Sequence, residues 1–155
     1  MVNFKTVALA LAAAVVFAAP AKALCLFSCE PTEADAKKVF ENVVRKKFDE
    51  SAQVTKFTVD RFWRIDVEGA GHKSVEYYFT ADVLFPKGAN PDCKPEGDGK
   101  VKEGCSASTY FSTTIQNQMV KERQYVEPGK TITFKDETRF DQSDGGWKGQ
   151  DGNHY

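Results

Sequence analysis

The stretch Val75-Glu76-Tyr77-Tyr78-Phe79-Thr80-Ala81-Asp82-Val83-Leu84-Phe85 decides the fold. Val75, Tyr77, Phe79, Ala81, Val83 and Phe85 recur at every second position, and Glu76, Tyr78, Thr80 and Asp82 alternate with them. Successive side chains of a strand point to opposite faces, so this period reads as a strand with one buried and one open face. A one-sided sheet needs a second layer, and the segment from Thr32 to Phe48 supplies it. Thr32 is a candidate N-cap, and Glu33 and Asp35 lie in the first turn, where the helix dipole favours anions. Ala36, Val39, Phe40, Val43, Val44 and Phe48 form one apolar stripe, while Lys37, Lys38, Glu41, Arg45 and Lys46 form a wet face. The basic cluster Lys37, Lys38, Arg45, Lys46 and Lys47 reads as a solvated face, not a binding surface.

The flanking segments are also strands. From Val54 to Val67 the odd positions are Thr55, Phe57, Val59, Arg61, Trp63, Ile65 and Val67, and the even ones are mostly polar. Arg61 interrupts the apolar row, which predicts a bend or bulge there. Residues 68–74 read as a loop. Pro86 ends the next strand and opens a cysteine-clipped loop over 86–106. Ala107–Ile115 reads as a third strand, with Thr109, Phe111 and Ile115 on one face. Met119–Val126 and Thr131–Phe140 read as a hairpin through Glu127-Pro128-Gly129-Lys130, a sequence suited to a type II turn. Ile132, Phe134 and Phe140 then share a face. Asp144-Gly145-Gly146 is a turn, Trp147 tucks against the sheet, and Gly149–Tyr155 reads as a loose tail. There is no internal repeat. The expectation is an α+β domain over residues 24–155, with one N-terminal amphipathic helix packed on a curved, four- to five-stranded antiparallel sheet.

A helix followed by a meander of long strands resembles the cystatin-like roll and, more distantly, the nuclear-transport-factor-like fold. The endings Phe140 and Gly146-Trp147-Lys148-Gly149-Gln150-Asp151-Gly152, with the stretch Tyr78–Gly88, are similar to a loosely defined group of small exported bacterial proteins. That resemblance implies the fold and a Gram-negative envelope setting, with no substrate and no catalytic residue. Two departures limit it. The Gln-x-Val-x-Gly segment of cystatin protease inhibitors is absent, and enzymes of the nuclear-transport-factor-like fold usually carry more helices before the sheet.

Residues 1–23 read as a signal peptide: Lys5 gives a positive start, Val7–Ala19 is apolar, and Ala21-Lys22-Ala23 has the small-x-small pattern of a cleavage site. Cleavage before Leu24 leaves 132 residues, enough for one domain with a real core. It also removes two lysines, Lys5 and Lys22, leaving 19 basic against 22 acidic residues and a formal charge of −3. That balance speaks against nucleic-acid binding, which needs a basic face to displace counterions from phosphates. No later apolar run approaches the roughly 20 residues that span a bilayer. The chain is thus expected to be periplasmic or secreted. The alternative is a lipoprotein anchored at Cys29, because Leu26-Phe27-Ser28-Cys29 has a lipobox outline.

The four cysteines, Cys25, Cys29, Cys93 and Cys105, are an even count in an exported chain and read as disulfides. Three pairings are open, of which Cys25–Cys29 with Cys93–Cys105 is the simplest. Residues 94–104 have almost nothing apolar to hold them, so a clip there is physically sensible. Cys25-x-x-x-Cys29 lacks the redox Cys-x-x-Cys spacing, and the four thiols match no common zinc ribbon.

No reaction is spelled out by a motif. Gly-x-Ser-x-Gly, the Walker loop and Gly-x-Gly-x-x-Gly are absent. His72 and His154 have no second histidine at ligand spacing and read as solvent-exposed. Asp141, Asp144 and Asp151 do not meet the EF-hand pattern. No cofactor, metal or catalytic residue is therefore expected. Two candidate sites remain. Tyr77 and Asp136 fall on predicted core faces and would serve a helix–sheet cavity, as donor and base of a small-ligand carrier or isomerase-like enzyme. Phe62, Tyr78 and Tyr110 fall on predicted polar faces and would mark a partner surface. The second reading leads, giving a non-catalytic binding protein whose partner is another envelope or extracellular protein.

Overall fold

The computed structural model describes residues 29–67, 71–106 and 123–155. Thr32 caps α1 (Glu33–Lys47) through a capping box: its hydroxyl accepts the Asp35 N–H, and the Asp35 carboxylate accepts the Thr32 N–H at 2.8 Å. Glu33 and Asp35 lie in the first turn and Arg45, Lys46 and Lys47 in the last, each matching the dipole at its end. After α1 come β1 (Gln53–Val67), β2 (His72–Phe85), a short 3-10 turn at Pro91–Cys93, β3 (Cys105–Ser106), β4 (Arg123–Gln124), β5 (Lys130–Ser143) and β6 (Gly146–Gly149).

The main sheet has four antiparallel strands in the order β1-β2-β5-β6. Val75, Tyr77, Phe79, Ala81, Val83 and Phe85 are all buried, so the stretch that decided the fold has the expected inner face. Opposite residues on neighbouring strands share a face. Val75 therefore sits with Phe140, Ala81 with Phe134 and Val83 with Ile132. Onto this face α1 lays Ala36, Val39, Phe40 and Val44. Phe40 is fully buried, with ring centroids 4.8 Å from Phe79 and 5.9 Å from Phe134.

The bulge expected near Arg61 is present, as a register shift between Val59 and Arg61. Phe57 faces Ala81 and Val59 faces Phe79, but past the register shift Phe62 faces Tyr77 and Arg64 faces Val75. One extra residue inverts the parity of everything that follows. Phe62, assigned to the polar face, therefore joins the inner side, 4.8 Å from the Tyr77 ring. Trp63, assigned to the core row, stands on the outer face opposite Glu76 and is 51% exposed.

The expected hairpin is also corrected. β4 pairs in parallel with β3, and Ala89 and Val126 exchange N–H···O bonds of 3.0 and 2.9 Å, so residues 123–126 leave β5 and lie against the cysteine loop. The Cys93–Cys105 disulfide holds β3 beside the 3-10 turn, which provides β4 with its partner. The Pro-Gly turn itself forms: Gly129 has φ +76° as a type II turn requires, and the Lys130 N–H reaches the Glu127 carbonyl at 3.2 Å. The strand expected over 107–115, with Tyr110, lies outside the described residues. Cys29 is disulfide-bonded as well, and Cys25 lies outside the described residues.

The C-terminal tail is not loose. Tyr155 packs its ring 5.4 Å from Phe140, and its N–H bonds the Trp147 carbonyl at 2.9 Å. Asp151 organises the turn, accepting from Asn42, Asn153 and Tyr155, each at 2.7 Å. A Cβ at Gly149 would lie 2.8 Å from Val39 Cγ2, so only glycine lets the tail approach α1 this closely.

Burial pushes the Asp151 carboxyl up, but hydrogen bonds from Asn42, Tyr155 and Asn153 outweigh it and hold the group below the usual carboxylate range. A depressed native pKa contributes stability above the unfolded value, about 3.9, and that contribution is lost as pH falls through the native value. Acidification below about pH 4 is thus expected to release the tail from α1. Hydrogen exchange of the Tyr155 amide across pH 2–6 checks this, with Asp151→Asn losing most of the acid dependence.

Candidate binding surface

The two inner-face candidates occupy different places. Tyr77 belongs with Ala36, Val39, Val75, Phe140 and Trp147, and its hydroxyl donates to the Pro31 carbonyl at 2.5 Å, at the mouth of α1. Burial pushes its pKa up. Asp136 lies opposite Phe79, is 7% exposed, and accepts the Glu137 N–H at 2.9 Å. Burial lowers the Lys47 pKa while the Asp136 charge opposes that shift, so an ammonium stands near this carboxylate. A cleft of about 550 Å³ lies between α1 and the tail, lined by Asn42, Val43, Lys46, Lys47, Gln150, Asp151 and Asn153. A second, of about 480 Å³, is lined by Asp60, Arg61, Tyr78, Phe79, Lys135, Asp136 and Glu137. Neither is lined by Tyr77.

The outer face gathers more chemistry. The Arg61 guanidinium lies 4.4 Å from the Tyr78 ring centroid and 5.4 Å from that of Trp63. Such stacking holds a long cation in one place at little entropic cost. Tyr78 donates to Glu76 at 3.0 Å, and desolvation, then that bond and the Glu137 charge, push its pKa up to about 12. It therefore stays a neutral phenol at any physiological pH. On the inner side of β1, Arg64 lies 5.0 Å over the Phe62 ring and grips the Glu30 carboxylate with two 2.6 Å hydrogen bonds.

Towards the start of β2, His72, Ser74 and Asp141 meet, although Ser74 and Asp141 are 67 positions apart. Their geometry is not that of an activated nucleophile. The Ser74 hydroxyl donates to Asp141 at 2.8 Å, and Ser74 is 1% exposed. Asp141 approaches His72 Nε2, the same nitrogen that faces Ser74, where a catalytic triad uses opposite nitrogens. Arg139 locks the group, donating to Ser74 at 3.0 Å and to Asp141 at 2.8 Å. His72 is thus part of a polar network, and His154 is exposed beside the Gly145 turn. Among the described residues, no three His, Cys, Asp or Glu side chains gather as a metal site would require, and no helix is long and apolar enough to cross a membrane.

The expected partner trio is therefore divided. Tyr78 is on the outer face, Phe62 is at the inner edge, and Tyr110 is outside the described residues. Arg61 and Trp63, which the periodicity assigned to the core, complete the outer surface in their stead. The one signal that could have found them is Arg61 itself, a charge in an apolar row. No protein-family model, curated protein or solved structure matches this chain.

Proposed function

We propose that this is an exported, non-catalytic binding protein of the bacterial envelope that takes a protein partner on the outer face of its sheet. The observation that carries the reading is the Trp63–Arg61–Tyr78 cluster, which leaves a tryptophan half exposed on the edge strand β1. Exposed aromatic and arginine side chains in fixed positions are the residue types that dominate protein interfaces. Two disulfides support an oxidising compartment. The disulfide at Cys29 uses the sulfur that a lipid anchor would need, which favours the form cleaved before Leu24 over the lipoprotein. The cavity reading is less well supported, because the Tyr77 hydroxyl is engaged by Pro31.

Capture from an envelope extract, with the chain starting at Leu24 as bait, tests this. Trp63→Ala is expected to lose at least 10-fold of the captured partner, as removal of an interface hot spot does, with an unchanged melting temperature. Equal capture by both forms overturns the assignment.

A further inference from the structure

We propose that the Arg61–Asp66 edge of β1 receives an extended acidic segment of the partner, which adds one strand to the sheet and sets a carboxylate on Arg61. This rests on the outer-face reading above and names the partner's chemistry.

Three observations carry it. First, β1 is an edge of the main sheet, and among the described residues no strand pairs with its outer side. An edge strand presents unpaired N–H and C=O groups that another chain can complete. Second, the bulges of β1 fall between Val54 and Lys56 and between Val59 and Arg61, whereas the register from Arg61↔Tyr78 to Val67↔His72 is continuous. A bulge disrupts a ladder, so an added strand is confined to the regular run and cannot propagate along the whole edge. Third, Arg61 is the cation of this run left to pair. Arg64 is taken by Glu30 through two 2.6 Å hydrogen bonds, Asp66 pairs with Lys73 at 3.5 Å, and Asp60 accepts the Thr80 hydroxyl at 2.7 Å.

Arg61 has no ion pair among the described residues; its contacts are the two rings. A guanidinium lying flat on a ring keeps its N–H groups in its plane and clear of that ring. The planar fork can therefore take a carboxylate with two parallel hydrogen bonds. Trp63 follows two residues later on the same face, so the partner's pattern is an acidic residue and an apolar residue two positions apart.

The probes are ten-residue peptides alternating valine with glutamate, glutamine or lysine. Amide hydrogen exchange of the chain starting at Leu24 is read with each, alongside Trp63 fluorescence in a Trp147→Phe background. The glutamate peptide is expected to slow exchange at residues 61–66 and leave α1 unchanged. Its affinity should fall about 10-fold or more when glutamine replaces glutamate, or in Arg61→Gln, as loss of a charge-assisted pair predicts. Arg61→Lys should restore only part of it, because a point charge lacks the fork. Equal binding of the lysine peptide, or no slowing at 61–66 with any peptide at millimolar concentration, overturns the inference. Slowing that grows with protein concentration alone also overturns it, and assigns the edge to a second copy of this chain. If Trp63→Ala still loses the captured partner while no peptide protects the edge, the outer-face reading stands and this one falls. If Trp63→Ala loses nothing either, both fall.

Discussion

Phe40→Ala is expected to be the most destabilising single change in the chain, costing about 3–5 kcal/mol. Phe40 is fully buried and is the one α1 ring that meets three strands, with centroids 6.4 Å from Phe57, 4.8 Å from Phe79 and 5.9 Å from Phe134. β1, β2 and β5 supply those rings, so this one side chain ties the helix to three strands at once. The neighbouring rings are held by strand backbone and cannot collapse inward to refill the space. Relative to the parent, the variant should melt about 10–20 °C lower. Its urea midpoint should fall with an unchanged slope, because the surface exposed on unfolding is nearly the same. Lys38→Ala, on the exposed side of the same helix, should move neither value by more than about 0.5 kcal/mol. A loss below about 1 kcal/mol for Phe40→Ala would mean that α1 is not what closes the core.

Removal of the Cys93–Cys105 disulfide should cost about 3 kcal/mol, the chain-entropy value for a loop of this size. The two cysteines are 12 positions apart, and Cys93 is fully buried. Residues 94–104 hold few contacts of their own beyond two turns: in one the Glu96 N–H donates to the Lys100 carbonyl at 2.9 Å and the Gly99 N–H to the Glu96 carbonyl at 2.8 Å, and in the other the Cys105 N–H reaches the Lys102 carbonyl at 3.0 Å. Without the covalent link, β3 stays beside Cys93 only through β4, whose Arg123 pairs with Asp92 at 2.7 Å and whose Gln124 carbonyl accepts from Asn90 at 2.9 Å. The Cys93→Ser/Cys105→Ser double variant should therefore lose amide protection first at Ala89 and Val126, whose mutual bonds close this corner. The α1–sheet core should keep its protection until global unfolding. Equal stability of the two forms would show that the corner is held by something other than the disulfide.

Local chemistry was the legible part of this sequence. Thr32 and Asp35 announced the cap of α1, the alternation from Val75 to Phe85 announced β2 and its inner face, and Pro128-Gly129 announced their turn. Each of these depends on residues within a few positions of one another. The failures were long-range or combinatorial. A period-two row carries no memory of a bulge, so the inversion after Val59 moves Trp63 out and Phe62 in, although Arg61 marks the break. Residues 123–126 were read as half of a hairpin because they precede a good turn. Their actual partners, Ala89 and β3, are more than a dozen positions away and are fixed by a disulfide whose pairing a sequence leaves open. The tail read as loose because it is rich in glycine and polar residues. Its order comes from Asn42, 109 positions upstream of Asp151. The outer surface has the same long-range cause: Tyr78 lies on the polar row of β2, but the arginine over its ring and the tryptophan beside that arginine belong to another strand.

The proposed contact of the outer face at Trp63 with an envelope protein can be trapped in the living source cell with a photoreactive phenylalanine analogue at position 63. One discrete cross-linked partner is expected on illumination, absent when the same group is placed at Lys38 on the exposed side of α1. No cross-link at position 63, or the same products from both positions, would contradict it.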